Sequence, residues 1–296
     1  MPRKGKKYKA HQVRKVEPNT SIIDYCSGAF PLLGSKTAVK KAIAGGRLLH
    51  NGKPARPEAV VKHGDHLELK GAGLSEARDF DMELEIVFED EHLLVANKPA
   101  GIAVNGNRVK TVENAVAGTE QPSAEPDALP RPVAVHRIDV PTRGLVLLAK
   151  TKSALITLSK AFEENAVKKE YLAVVHGMPP KQGVIDAVIK GKEAVTRFET
   201  VQFAPSRVFK RLSLVKLRPV TGRTHQLRIH LKEEGHLIVG DKEYAGGQKT
   251  ILGKGLFLCA RRLEFEHPAT GKAVVVEIEP PRRFVRLLER ERERYG

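Results

Sequence analysis

From residue 83 onward the chain is a succession of short apolar runs, and this pattern limits the fold more than any other feature of its 296 residues. ELEIVFED and HLLVANKP flank Asp90 and read as a hairpin. VAVH (133–136) and GLVLLAKT (144–151) are apolar strands, and EYLAVVHG, RLSLVKLRPV, FLCARRLEFEH and AVVVEIEP follow. Helical spacing marks SALITLSKAFEE (153–164), with Leu155, Leu158 and Phe162 on one side. It also marks THQLRIHLKEEG, with Thr224 as N-cap and Gly235 as stop. Strands outnumber helices and do not alternate with them regularly. That argues for an α+β sheet domain rather than a doubly wound one.

The front of the chain differs. Residues 1–18 carry seven Lys and Arg with no acid before Glu17, and lack periodicity, so they read as a disordered basic arm. Residues 19–72 read as a small α+β domain. Apolar residues from Ile22 to Leu33 have loosely helical spacing. Ser35 is a good N-cap for a helix to Ala44, stopped by Gly45 and Gly46. That helix would present Lys36, Lys40 and Lys41 on a polar face. Asn51-Gly52 marks a tight turn between short strands. Residues 71–82 read as a linker, 83–281 as the large domain, with a surface loop at 118–132, and 282–296 as a surface helical tail.

Charge narrows the partners. Fifty-one Lys and Arg against 35 Asp and Glu leave a net charge of +16, which favours a polyanion such as nucleic acid. Residues 1–80 hold 16 basic residues against 7 acidic ones, so the front is the most basic part. With no Trp and 5% aromatic residues, a general grip on RNA should rest on phosphate contacts rather than rows of stacked bases. No apolar run is long enough to span a membrane, and the basic N-terminus lacks the apolar stretch of a secretory signal. Cys26 and Cys259 have no metal-ligand spacing and read as free thiols in a reducing cytoplasm.

Two segments that suggest phosphate loops fail. GGQKTILGKG (246–255) has Gly after its Lys where Ser or Thr is required, and GSKT (34–37) places Ser between Gly and Lys. His225 and His230 are five residues apart, which does not put both rings on one helical face for a metal. The segment richest in chemistry is HRIDVPTRGLVLLAK (136–150). It sets His136, Arg137, Asp139 and Thr142 in a loop between two apolar strands and ends the loop at Gly144. A carboxylate beside a cation can serve as nucleophile or base. A lone carboxylate in such a loop is more commonly a cap or a surface charge.

That segment closely resembles the His-Arg-Leu-Asp motif of the RluA-type pseudouridine synthases. NKPAGIAV (97–104), KKEYLAVVHG (168–177) and RPVTGRTHQLRIHLKEEGHLIVGDKEYAG (218–246) resemble three further motifs of the family, in the family's order. The resemblance covers about residues 83–280. The helix and Asn-Gly hairpin in front resemble the small RNA-binding module of ribosomal small-subunit protein S-four and of tyrosyl-tRNA synthetases, apart from the usual opening of the first helix.

The resemblance implies a mixed, mostly antiparallel sheet with a cleft across its middle. It implies Asp139 as catalytic aspartate, Arg228 as the arginine paired with it, and Tyr171 as the ring that packs on the target base. Arg137 would displace or hold RNA. His136, Thr142, Arg143, Arg223, His225 and Gln226 would contact substrate, and Lys36, Lys40 and Lys41 would dock it. Arg143 stands where the family usually has Ser. The implied activity is isomerisation of uridine to pseudouridine in RNA, on a flipped base, with no metal and no cofactor. Large-subunit ribosomal RNA is the expected substrate and transfer RNA the second. A monomer in the cytoplasm is expected. Two other classes stay open: a non-catalytic RNA-binding or ribosome-assembly factor, and a metal-dependent nuclease. The intact Asp139, Tyr171 and Arg228 set weighs against the first, and insensitivity to chelator would exclude the second.

Overall fold

Asn51 and Gly52 both take left-handed backbone (φ 51° and 77°), so the chain reverses within two residues between β2 (Leu48–His50) and β3 (Lys53–Pro54). In the computed structural model, residues 8–14, 16–30, 33, 36–70, 80, 82–106, 108–117, 121–247, 250–251 and 253–295 are described. The chain divides into two units, 1–78 and 79–296.

The first unit is a four-stranded sheet in the order β1-β4-β2-β3, with β1 at Tyr8–Gln12 and β4 at His66–Lys70. Two helices complete it, α1 (Ile22–Ala29) and α2 (Lys36–Ala44). The Ser21 hydroxyl accepts from the Asp24 N–H at 3.1 Å and caps α1. Ile22, Cys26 and Phe30 meet Val39 and Ala42 of α2 over Leu48, Leu67 and Leu69. Lys36, Lys40 and Lys41 stay exposed, and Lys36 pairs with Asp24 at 2.6 Å. The basic segment expected to be disordered is a strand over 8–12, in antiparallel register with β4 from Tyr8↔Lys70 to Gln12↔His66. The free edge of β4 satisfies its backbone groups, and buried Val13 anchors its end, which outweighs the local charge density. Ser35 and most of the 71–82 linker lie outside the described residues.

The second unit holds a ten-stranded sheet. Its main path runs β10-β11-β12-β9-β13-β8-β6-β5. In chain order the strands are β5 (Glu85–Glu89), β6 (Leu93–Lys98), β7 (Ala128–Ala134), β8 (Arg143–Thr151), β9 (Lys168–His176) and β10 (Gln182–Ile189). They continue as β11 (Lys192–Ser206), β12 (Lys210–Pro219), β13 (Leu258–Glu266) and β14 (Ala273–Glu277). Neighbours are antiparallel except β8 and β13, which run parallel through Arg143↔Cys259 and Gly144↔Ala260. The sheet is therefore mixed and mostly antiparallel. Leu145 to Ala149 are all fully buried, because β8 is covered on both faces.

Among the described residues four helices dress this sheet: α3 (Val112–Val116), α4 (Lys152–Glu163), α5 (Gln226–Glu233) and α6 (Arg282–Tyr295). Three expectations need correction. The stretch expected to be a surface loop ends in β7, which carries Pro130 and Pro132 because its register with β8 is interrupted between Ala128 and Val133. Helix α6 is not a surface tail. Phe284, Leu287 and Leu288 are buried in the core, and Phe284 stacks on Phe257 with ring centroids 5.1 Å apart. Helix α5 is not capped by Thr224. His225 takes the N-cap position in left-handed backbone (φ 58°) and makes no side-chain cap.

Candidate active site

The loop between β7 and β8 is locked from beneath. Ile138 is buried, and the Thr142 N–H donates to the Asp139 carbonyl at 3.0 Å, closing a turn that presents the Asp139 carboxylate. Gly144 ends the loop with φ 114°, and a Cβ there would lie 2.1 Å from the Ala260 carbonyl oxygen. Only glycine lets β8 come so close to β13. Asp139 thus sits above the one parallel junction of the sheet, in a cleft of about 400 Å³ that Tyr171 of β9 and Arg228 of α5 also line.

Asp139 and Arg228 meet, but not as a tight pair. Arg228 Nη1 lies 3.5 Å from Asp139 Oδ2. That Nη1 is buried and has no hydrogen-bond partner among the described residues. The rest of the guanidinium is occupied. Its Nε and Nη2 donate to the two oxygens of buried Asp241 at 2.7 and 2.8 Å, and Nη2 also donates to Glu243 at 2.8 Å. Burial pulls the guanidinium pKa down, but the bonds and charges of Asp241 and Glu243 outweigh it and raise it. The Tyr244 ring covers the same group, 4.8 Å from Arg228 Cζ. Asp241 therefore aims Arg228 and leaves one N–H facing Asp139.

His225 closes the other side. Its left-handed backbone swings the imidazole inward, with Nε2 3.6 Å from Asp139 Oδ1 and Nδ1 hydrogen-bonded to the Tyr244 hydroxyl at 2.8 Å. Tyr171 is half-buried, and burial first, then the charge of Asp139, pushes its phenol pKa up. Its ring packs against the apolar clusters on either side of the cleft.

The other expected contacts divide. Arg137 is exposed at the cleft, and Arg223 lines it while its Nε donates to the Glu193 carbonyl at 2.9 Å. Thr142 lines it with a buried hydroxyl oxygen that has no partner among the described residues. Gln226 is committed inward: its amide donates to the Val195 carbonyl and Thr196, and its oxygen accepts from Thr221 and the Arg223 N–H. It has no donor left for substrate. His136 lines the cleft and is also tied into the fold. Its Nε2 accepts from the Leu147 N–H at 3.0 Å, and its ring stacks on Phe162 at 4.3 Å. Burial, with help from Lys169, lowers its pKa to about 3. Arg143 is not among the cleft-lining residues; its charge bears on Cys259 and Arg283.

Lys98, in the NKPAGIAV segment, has no role assigned by sequence reasoning. Its fully buried Nζ donates to the carbonyls of Pro99, Ile102 and Val140 at 3.0, 2.9 and 3.2 Å. Val140 follows Asp139, so Lys98 braces the loop that carries Asp139. Burial lowers its pKa to about 8 against the pull of Asp139. Its Lys-Pro position in a motif is the signal that could have found it. Among the described residues no group of His, Cys, Asp and Glu could hold a metal ion.

The sheet-floored cleft, with a carboxylate, an aimed guanidinium and a tyrosine ring, defines an enzyme that can handle a flat base. Solved structures share the fold. Human RNA pseudouridylate synthase domain containing 4 superposes with a TM-score of 0.55 at 25% identity, covering 70% of this chain and 92% of that one. The RNA pseudouridylate synthase family matches residues 92–233. The ribosomal large subunit pseudouridine synthase D of Zymomonas mobilis is 38% identical over 231 residues, which is 68% of this chain and 70% of that protein. The dual-specificity RNA pseudouridine synthase RluA of Salmonella typhimurium is 33% identical over 211 residues, or 66% and 92% of the two chains. The chain belongs to the RluA-type RNA pseudouridine synthase family, and its activity class is that of an RNA-modifying isomerase.

Proposed function

We propose that this enzyme isomerises uridines in large-subunit ribosomal RNA, with transfer RNA as the second candidate. The single observation that carries the site assignment is the unpartnered, buried Nη1 of Arg228 standing 3.5 Å from Asp139 in a cleft lined by Tyr171. A guanidinium aimed at a carboxylate orients it. Extruding a nucleotide costs a few kcal/mol, offset by phosphate contacts and by stacking on a ring such as Tyr171. Asp139 then drives breakage of the N1–C1′ bond. The uracil turns, C5 bonds to C1′, the C5 proton leaves and N1 takes one up. Atoms balance without oxidant, reductant or energy input, and the proposed reaction calls on no metal or cofactor.

The exposed Lys36, Lys40 and Lys41 of the first unit dock structured RNA through phosphates, as in the S-four-type module. Arg137 and Arg223 hold the strand at the cleft. The protein acts as a monomer in the cytoplasm. The relative from Zymomonas mobilis carries a large-subunit ribosomal name, which supports that substrate here.

The test is tritium release from unmodified RNA labelled at uridine C5, in EDTA, with wild type and Asp139→Asn side by side. Release by wild type alone supports the assignment. No release by either from ribosomal or transfer RNA would refute it in favour of a binding factor on the same fold.

A further inference from the structure

Beyond the cleft lies a second groove of about 330 Å³ at the ends of the central strands. It shares Lys169 and Pro219 with the cleft, so the two are continuous. The charges that line it follow from strand register. Arg197 of β11 stands directly opposite Arg218 of β12, and Glu170 of β9 stands opposite Arg262 of β13. Arg218 reaches Glu170 at 3.0 Å, which closes one row across four neighbouring strands. The row holds three guanidiniums and one carboxylate.

Such a row is unfavourable by itself. Like charges directly opposite on paired strands repel. The lone carboxylate is buried and shared, since Arg261 also reaches Glu170 at 3.6 Å. Arg262 turns to Glu264 at 2.8 Å, whereas exposed Arg197 has no ion-pair partner among the described residues. Lys169 alternates with this row and lies on the side of Tyr171, where the cleft begins. It is half-buried, its side chain has no hydrogen bond or ion pair among the described residues, and burial lowers its pKa. A partly desolvated cation without a counter-charge among the described residues, lining the same groove as two opposed arginines, is an arrangement that an anion completes.

We infer that this groove carries the RNA strand away from the flipped uridine, with Lys169 on the phosphate at the cleft mouth and Arg197 and Arg218 on the next phosphates. The inference rests on the proposed reaction and adds the path of the substrate backbone. The recognised chemistry is a phosphodiester chain in single-stranded form, because the groove adjoins the cleft that would take the unpaired base and its described lining is rich in Lys and Arg without an aromatic ring. Its interactions are with phosphate and carry no base readout.

The experiment measures Kd for a labelled single-stranded oligoribonucleotide with a central uridine, over a series of KCl concentrations. Wild type, Arg197→Gln, Lys169→Gln and Lys232→Gln are compared. Lys232 is an exposed cation at the end of α5 that lines neither groove nor cleft. Removing one cation from a phosphate should lower the slope of log affinity against log salt by about 0.7 for a single strand. Arg197→Gln and Lys169→Gln should each show that drop, and Lys232→Gln should keep the wild-type slope. Wild-type slopes in both groove variants, or an equal drop in Lys232→Gln, would overturn the inference. Tritium release by wild type is read in parallel. Turnover with unaltered slopes sinks the groove alone, while altered slopes without turnover sink the catalytic reading.

Discussion

Replacing Asp241 by Asn tests whether a buried residue that does not line the cleft sets the geometry of Asp139. Asp241 is 1% exposed and Arg228 is 3% exposed, so their two bonds of 2.7 and 2.8 Å are shielded from water. An Asn keeps the shape but offers one acceptor, and its amide turns donors toward a guanidinium that can accept none. Removing one partner of a buried ion pair costs about 3–5 kcal/mol. Glu243 remains on Nη2 at 2.8 Å, but it is 56% exposed and so compensates weakly. A loss of about 3 kcal/mol follows, which lowers Tm by roughly 6–12 °C for a unit of this size. Freed from Asp241, the guanidinium shifts relative to Asp139. A displacement of about 1 Å at a catalytic group can cost on the order of 100-fold in rate. Calorimetry gives the first quantity, and single-turnover tritium release at a temperature well below both transitions gives the second. RNA affinity should stay near wild type. An unchanged Tm together with an unchanged rate would refute the idea that Asp241 aims Arg228.

Gly144→Ala should destabilise the fold by about 3 kcal/mol or more, because φ is 114° and the new Cβ meets the Ala260 carbonyl at 2.1 Å. Gly222→Ala, with open space around it, should change the unfolding free energy from urea titration by no more than about 0.5 kcal/mol. Phe284→Ala should cost about 3–5 kcal/mol in the same assay, since the ring is fully buried on Phe257 and its removal leaves a cavity under α6. His136 titrates near its usual value when unfolded but at about 3 when folded, so the unfolded chain binds the extra proton between those values. Its contribution therefore falls as pH drops from about 6.5 to 3, with a slope approaching about 1.4 kcal/mol per pH unit. His136→Gln should remove that component: the difference in unfolding free energy between wild type and variant should change across this window, and a constant difference would contradict the assignment.

What is legible in the sequence is what repeats or what sits in a motif. The strand runs after residue 83 are apolar over lengths that only sheet burial explains, and Asn51-Gly52 leaves little choice of turn. Strand β1 is hidden because its residues are basic and its reason for being extended lies in β4, far along the chain. Helix α6 reads as a surface tail because Arg and Glu dominate its composition, although Phe284, Leu287 and Leu288 recur on one face. The site shows the same division. Asp139, Tyr171 and Arg228 stand in motifs, and all three line one cleft. Gln226 and His136 stand in motifs too, yet the Gln226 amide and His136 Nε2 are taken up by backbone and neighbouring side chains, which only packing reveals.

The less legible part is the one that decides how the cleft works. A motif reading lets Arg228 fork onto Asp139, and a chain read residue by residue offers no reason to prefer Asp241, thirteen positions further on. The backbone turn after α5 is what selects it. Gly240 takes φ 81° against the Gly255 carbonyl, a position where a Cβ would lie 2.0 Å away, and this brings Asp241 beneath the guanidinium. Had Arg228 spent its two-pronged face on Asp139, the carboxylate would be pinned and partly neutralised. With Asp241 taking that face, Asp139 keeps one long contact at 3.5 Å and a second at 3.6 Å to His225. Its oxygens stay close to cationic or polar groups without being consumed by them, which is the condition a carboxylate needs to engage a substrate.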